Sequence, residues 1–227
     1  WTHNYNLSLR FNSDESVTLM KTSGERYTFT KNPDGSYTTP QGIFETLTKN
    51  LDNTYTLGFK DQTKSNFNSN GYLVSQVYKY GNITTLSYTA NLFTTLTDSG
   101  GRTLTFTYTN NRITKIQDQT GRTVQYGYDA NGNLTTVTDM NNKTTTFTYD
   151  SSHQLLTIKE PEPSANPFLT NHYDSNNKVD LQKDAFLNTF TYSYDTVNKK
   201  TTTTDNKGKQ TIHQFDDRYR LTKSTDP

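Results

Sequence analysis

Four histidines, His3, His153, His172 and His213, are the first side chains to weigh for metal or acid–base chemistry. None sits in a His-x-x-x-His or His-Glu-x-x-His arrangement, so the spacing defines no metal site. The chain has no Cys, which removes disulfides, thiol nucleophiles and the commonest structural zinc ligands. No Gly-x-Ser-x-Gly elbow and no phosphate-binding loop occurs. Asp98, Asp118 and Asp139 recur at a regular interval and would suit calcium or a carboxylate pair. Each stands beside turn residues, where Asp bonds its own backbone, and the structural reading is the better one. A row of tyrosines could stack on sugars or bases, but one Tyr per interval is the spacing of packing. No catalytic residue, cofactor or metal is expected, and the sequence reads as non-enzymatic.

The elements that position these residues form a repeat, the feature to seek first in any chain. A Tyr closing an alternating segment recurs at Tyr88, Tyr108, Tyr128, Tyr149, Tyr173 and Tyr194, with Phe215 next, at steps of 20, 20, 21, 24, 21 and 21 residues. Leu104, Phe106 and Tyr108 alternate with Thr103, Thr105 and Thr107. This period of two puts aromatics on one strand face and Thr on the other. Asn131-Gly132 suits a tight hairpin turn, and the stretch from Asp118 to Gly121 turns the chain back. In the second strand of each unit the apolar residues lie three apart: Ile113 and Ile116, Leu134 and Val137, Leu155 and Ile158. A flat strand cannot place both on one face, so a bulge is expected in each unit. The 24-residue step holds Pro161, Pro163 and Pro167, which reads as a loop inserted at one turn.

Composition agrees. The 227 residues include 44 Thr, 24 Asn, 16 Tyr and 12 Phe but only four Ala, and just 29% are hydrophobic. Strand formers dominate, while apolar content is low for an ordinary globular core. The expectation is an all-β chain of repeated antiparallel hairpins in a twisted sheet whose stability accumulates hairpin by hairpin, with no compact core required. Residues 1–66 read as a β region of degenerate hairpins, and residues 67–227 as an array of about seven units of 20–24 residues. Basic and acidic residues number 23 and 22, which argues against electrostatic capture of nucleic acid. No stretch approaches the roughly 18 apolar residues of a membrane-spanning helix. The pattern runs on to the last residues, as in a stretch of a longer chain.

The units resemble the YD (Tyr-Asp) repeats of Rhs proteins. Tyr128-Asp129, Asn131-Gly132, Leu134, Val137 and Asp139 follow the pattern of that family. Gly101-Arg102 and Gly121-Arg122 match its closing pair, and Tyr149-Asp150, Tyr173-Asp174 and Tyr194-Asp195 supply further signature dipeptides. Tyr88 and Tyr108 are followed by Thr instead of Asp, and Lys199 to Thr204 lack the apolar pair. The resemblance implies a β-sheet ribbon that spirals into a hollow shell, as in bacterial Rhs or wall-associated proteins, insecticidal toxin complexes and teneurins. It implies a non-catalytic structural segment of a secreted or cell-surface bacterial protein, enclosing or presenting a C-terminal toxin or effector domain. Its partners would be further repeats of the same chain and the enclosed domain. The alternative is an extracellular adhesin or self-assembling fibre, in which sheet edges join copies or the Tyr surface binds cell-surface glycans.

Overall fold

Alternating Thr, Tyr, Phe and Val segments, broken at short intervals by Asp, Asn and Gly, fold as twenty-two strands, and every strand pairing recorded is antiparallel. The computed structural model describes residues 3–161 and 165–227, within which no helix occurs. Trp1 and Thr2 of the opening segment, and Glu162, Pro163 and Ser164 of the proline-rich stretch, lie outside the described residues. The chain divides into two compact units, Trp1–Arg122 and Thr123–Pro227.

The first unit holds two sheets. A four-stranded one runs β1 (Ser8–Phe11), β2 (Val17–Met20), β3 (Arg26–Lys31) and β4 (Tyr37–Thr38). The other strands of the unit are β5 (Thr46–Lys49), β6 (Tyr55–Gly58), β7 (Lys64–Phe67), β8 (Leu73–Val77), β9 (Ile83–Thr89), β10 (Leu92–Thr97), β11 (Thr103–Thr109) and β12 (Arg112–Asp118), each paired with the next. The second unit is a consecutive meander of β13 (Thr123–Tyr128), β14 (Leu134–Thr138), β15 (Thr144–Tyr149), β16 (Leu155–Lys159), β17 (Leu169–Tyr173), β18 (Val179–Asp184), β19 (Thr189–Asp195), β20 (Lys200–Thr204), β21 (Gln210–Phe215) and β22 (Leu221–Thr225). Of the proline-rich stretch, the described residues Glu160, Pro161 and Ala165 to Phe168 lie between β16 and β17, outside any strand.

The expectation that no compact core is required fails in the first unit. Leu9, Val17, Leu19 and Phe29 from the four-stranded sheet form one buried cluster with Leu47, Leu57, Phe67 and Leu73 from the second sheet. Phe29 and Phe67 are wholly excluded from solvent. Two sheets each carry one apolar face, and stacking them removes both from water. In the second unit the aromatic face is only half-buried: Tyr126, Phe147, Tyr149, Phe190 and Tyr194 all keep partial exposure. Leu134 is the buried hydrophobic residue there among those described.

One turn geometry recurs at both ends of the hairpins. The amide of Asp118 donates to the Arg122 carbonyl at 3.0 Å, and the Gly121 amide donates to the Asp118 carbonyl at 3.0 Å. Gly121 has φ of 91°. This is a type I turn closed by a left-handed residue. Asn131-Gly132 adopts it too, with Gly132 alone at positive φ. Two-residue turns with both central residues at positive φ occur instead at Ala90-Asn91 and Asn110-Asn111.

Gly71 clasps the two sheets of the first unit. Its carbonyl accepts from the Leu9 amide at 2.8 Å, and a Cβ placed on it would meet the Leu9 carbonyl oxygen at 2.1 Å. Gly81 shares the left-handed φ, at 83°, but nothing lies within 4 Å of a Cβ there. Gly81→Ala should therefore cost only the conformational penalty of about 1–2 kcal/mol. Gly71→Ala adds a backbone collision and should lower the denaturation midpoint of the first unit well beyond that. Chemical denaturation of the two variants checks this; equal midpoints would remove the clasp.

Candidate functional site: the tyrosine and aspartate of each hairpin

Five of the six repeat tyrosines close the first strand of a hairpin and face an apolar residue near the start of the second. Tyr88 faces Phe93, Tyr108 faces Ile113, Tyr128 faces Leu134, Tyr149 faces Leu155 and Tyr173 faces Val179. Just past that pair the register shifts by one residue, so the expected bulge is present. Thr114, Thr135, Leu156 and Asp180 are the extra residues. The bulge brings residues three apart onto the same face, which explains the Ile113/Ile116 and Leu134/Val137 spacing.

The tyrosine hydroxyls do more than pack. Tyr88 donates to the Leu73 carbonyl at 2.9 Å, Tyr108 to Phe93 at 2.7 Å, Tyr173 to Leu155 at 3.0 Å and Tyr194 to Val179 at 2.7 Å. The acceptor is always the apolar residue facing the aromatic of the preceding hairpin. The ladder joining successive hairpins ends before it is reached. β8 pairs with β9 only from Ser75, β10 with β11 from Thr95, β16 with β17 from Thr157 and β18 with β19 from Leu181. Each acceptor lies two residues beyond that end. The hydroxyl thus bonds a carbonyl that the neighbouring strand's backbone amides do not reach, and an amide-poor site of this kind favours a side-chain donor. Tyr149 holds the same register position, yet its hydroxyl makes no hydrogen bond among the described residues. Burial holds the phenols neutral: Tyr88 is pushed up to about 12, and Tyr108, Tyr126, Tyr149 and Tyr194 move the same way.

The aspartates are spent on their own turns. Oδ1 of Asp98 accepts from the Gly100 and Arg102 amides, both at 2.9 Å, and Oδ1 of Asp118 from the Thr120 and Arg122 amides at 2.9 and 3.0 Å. Asp150 and Asp174 repeat this with Ser152 and Gln154, and with Asn176 and Lys178. Asp129 takes the Asn133 amide, and Asp139 the amides of Asn141 and Lys143. Asp195 instead takes the backbone and side-chain N–H groups of Asn198. The Gly-Arg pairs follow from this geometry. Gly101 and Gly121 supply the left-handed residue, after which Arg102 and Arg122 reach back to Oδ2 of Asp98 and Asp118 at 2.6 and 2.7 Å. Hydrogen bonds from Thr120, then from Arg122 and the backbone, lower the Asp118 carboxyl to about 2.

His153 takes the left-handed turn position, φ 65°, and its Nδ1 bonds Oδ1 of Asn133 at 2.7 Å. His172 pairs with Asp180 at 2.6 Å on an exposed surface. His3 lies over Phe93 and Phe106, and burial lowers its pKa. Among the described residues no three His, Asp or Glu side chains converge as a metal site would require. What the arrangement does is mechanical: Asp shapes the turns, and Tyr ties one hairpin to the next. Sequence reasoning placed the tyrosines but missed the hydroxyl's role.

A hairpin array built on a repeated turn acid and a repeated strand-closing tyrosine defines a structural repeat protein. Residues 109–139 and 128–165 match the family model described as RHS Repeat. The match marks residues 109–165 as Rhs-type repeats. No curated protein matches it in sequence. Among solved structures it is similar to a chain of the Photorhabdus luminescens Tc holotoxin pore, with 11% identity over 95% of this chain and 15% of that one, at a TM-score of 0.49. It is also similar to a TcdB2–TccC3 complex with Cdc42, with 16% identity over 91% of this chain and 12% of that one, at 0.33. A porin-like protein from Bacteroides uniformis aligns over 100% of this chain and 98% of its own, with 15% identity, at 0.32. The chain thus spans only 15% and 12% of the length of the two toxin chains.

Three measurements follow. Tyr108→Phe removes one hydrogen bond to a carbonyl and should destabilise by about 1 kcal/mol, while Tyr149→Phe, which loses none, should leave the melting temperature unchanged. Equal losses would show that the hydroxyl bond carries nothing. The depressed Asp118 carboxyl stabilises the fold above the ordinary carboxylate range, so its contribution disappears as pH falls from about 4 towards about 2. Asp118→Asn keeps the Oδ1 acceptor and should flatten the acid limb of the pH–melting profile. The raised Tyr88 phenol stabilises the neutral form, so its contribution is lost as pH rises from about 10 towards about 12. Tyr88→Phe should shallow the alkaline limb.

Proposed function

We propose that these repeats form part of the wall of a secreted or cell-surface bacterial Rhs protein, a non-catalytic segment whose shell encloses or presents a toxin or effector domain. In this reading residues 1–66 lead into an array spanning 67–227. The observation that carries it is the contrast between the two aromatic faces. In the first unit β1 to β4 cover the neighbouring sheet and complete a core. In the second, Tyr126, Phe147, Tyr149 and Phe190 stay half-buried beneath no sheet of their own unit. A lining of half-dry aromatic rings suits contact with an enclosed polypeptide, and the polar Thr faces suit solvent on the outside.

Edge-to-edge assembly of copies is the second reading. It is favoured by β22, all five of whose residues are exposed to solvent. Electron microscopy of the complete parent polypeptide separates the two. A closed particle with an internal void supports the shell; a solid rod overturns it. Sedimentation at rising concentration should show a constant mass for a shell segment, whereas a mass that grows with concentration supports the fibre.

A further inference from the structure

Where two antiparallel strands are joined by a short turn, the turn itself sets their register. Between β16 and β17 no such turn is present: residues 160–168 separate them, whereas the other connections of the second unit are four or five residues long. The ladder that follows is short as well. It holds two pairs, Thr157↔Thr170 and Ile158↔Leu169, and the other hairpin-to-hairpin ladders of the unit hold three or more. Alternation of side chains does not replace the missing turn. A slip of β17 along β16 by two residues keeps every side chain on its own face.

At this seam the sequence departs from the rest of the array. Two residues before the closing Tyr, the neighbouring hairpins pair aromatic with aliphatic side chains: Phe106 with Ile116, Tyr126 with Val137 and Phe147 with Ile158. In β17 and β18 the same place holds Asn171 and Gln182. Asn171 is buried, and burying an amide is unfavourable unless it is bonded. Its Nδ2 donates to the Leu155 carbonyl of β16 at 2.9 Å, and its Oδ1 accepts from Gln182 Nε2 at 2.9 Å. Gln182 Oε1 accepts in turn from the Tyr192 hydroxyl at 2.5 Å. One chain of side-chain bonds thus runs from β19 through β18 and β17 to a single carbonyl of β16. A two-residue slip carries Asn171 away from that carbonyl and leaves its buried N–H without the acceptor.

We propose that Asn171 is a register key: oriented by Gln182 and Tyr192, it selects the one alignment in which β17 docks on β16, a task that the turn performs elsewhere. A bonded polar group among apolar neighbours fixes register in this way at a cost in stability. The proposal does not depend on the shell reading, because the seam lies within one unit of the chain.

The chain has no Cys, so introduced pairs report the alignment cleanly. Thr157→Cys with Thr170→Cys places thiols opposite each other in the native ladder. Thr157→Cys with His172→Cys does so only after a two-residue slip. Each variant is refolded reduced and then oxidised with glutathione. The native pair should close within one chain and the slipped pair should stay largely open. Asn171→Leu with Gln182→Leu restores an apolar pair. It should raise closure of the slipped pair about tenfold, the worth of one unbonded buried amide, while the melting temperature stays at or above that of the wild type. A network that only stabilises would instead lower the melting temperature and leave the alignment unchanged. That result, or slipped closure that is equal with and without the key, overturns the proposal. If the Leu pair melts low, the comparison is repeated in ammonium sulfate, which strengthens burial, and the slipped fraction decides alone.

Discussion

Thr114, Thr135, Leu156, Asp180 and Thr222 each stand in the second strand of a hairpin with no residue opposite. That extra residue is the constraint from which the rest of the repeat follows. It turns the apolar residue before it onto the aromatic face, so that a closing Tyr meets Leu, Ile or Val. It also bends the strand away from the next hairpin, whose ladder then stops two residues early. A carbonyl is left beyond the reach of backbone amides, and the next Tyr hydroxyl bonds it. At Tyr88, Tyr108, Tyr173 and Tyr194 the hydroxyl that distinguishes tyrosine from phenylalanine is thus used because of a bulge one hairpin upstream. The Asp-led turns complete the unit by fixing where each strand begins.

Stability is distributed differently in the two units. In the first, burial of Phe29, Phe67, Leu19, Leu57 and Leu73 between stacked sheets supplies the ordinary hydrophobic term. In the second, half-buried rings gain only part of that term. Hydrogen bonds at turns and between hairpins weigh more heavily there, and each hairpin depends on its neighbours. A chain with 29% hydrophobic residues can satisfy both demands because its apolar residues are concentrated on one face of each strand.

The parts of this design written in side-chain types were legible in the sequence. Period-two alternation revealed the strands, the three-residue apolar spacing revealed the bulge, and Gly121 and Gly132 marked positions of positive φ. The parts that depend on backbone atoms were not. The tyrosine's acceptor is a main-chain carbonyl, at Leu73, Phe93, Leu155 or Val179, and no residue type encodes it. The first unit's core was equally hidden. Val17, Leu19 and Phe29 alternate as any half-buried strand does, and nothing in that alternation tells which second face will lie against them. Leu187 and Tyr219, at φ of 65° and 58°, show the converse: turn geometry can force a bulky residue into a place where sequence reasoning expects Gly or Asn.

The one irregular hairpin ties these observations together. Lys200 to Thr204 pair with β19 without a bulge, from Asp195↔Lys200 to Thr191↔Thr204. The next ladder then runs its full length, from Lys200↔Gln214 to Thr204↔Gln210, and the Phe215 amide continues it to the Lys199 carbonyl at 2.9 Å. No carbonyl is stranded, so no hydroxyl is required, and the position holds Phe215 in place of Tyr. The absent apolar pair, the absent bulge and the absent hydroxyl are a single structural change seen in three places. The same change removes the apolar side chain that would face Tyr194, and a cavity of about 430 Å³ lined in part by Tyr194, Thr201 and Phe215 lies there.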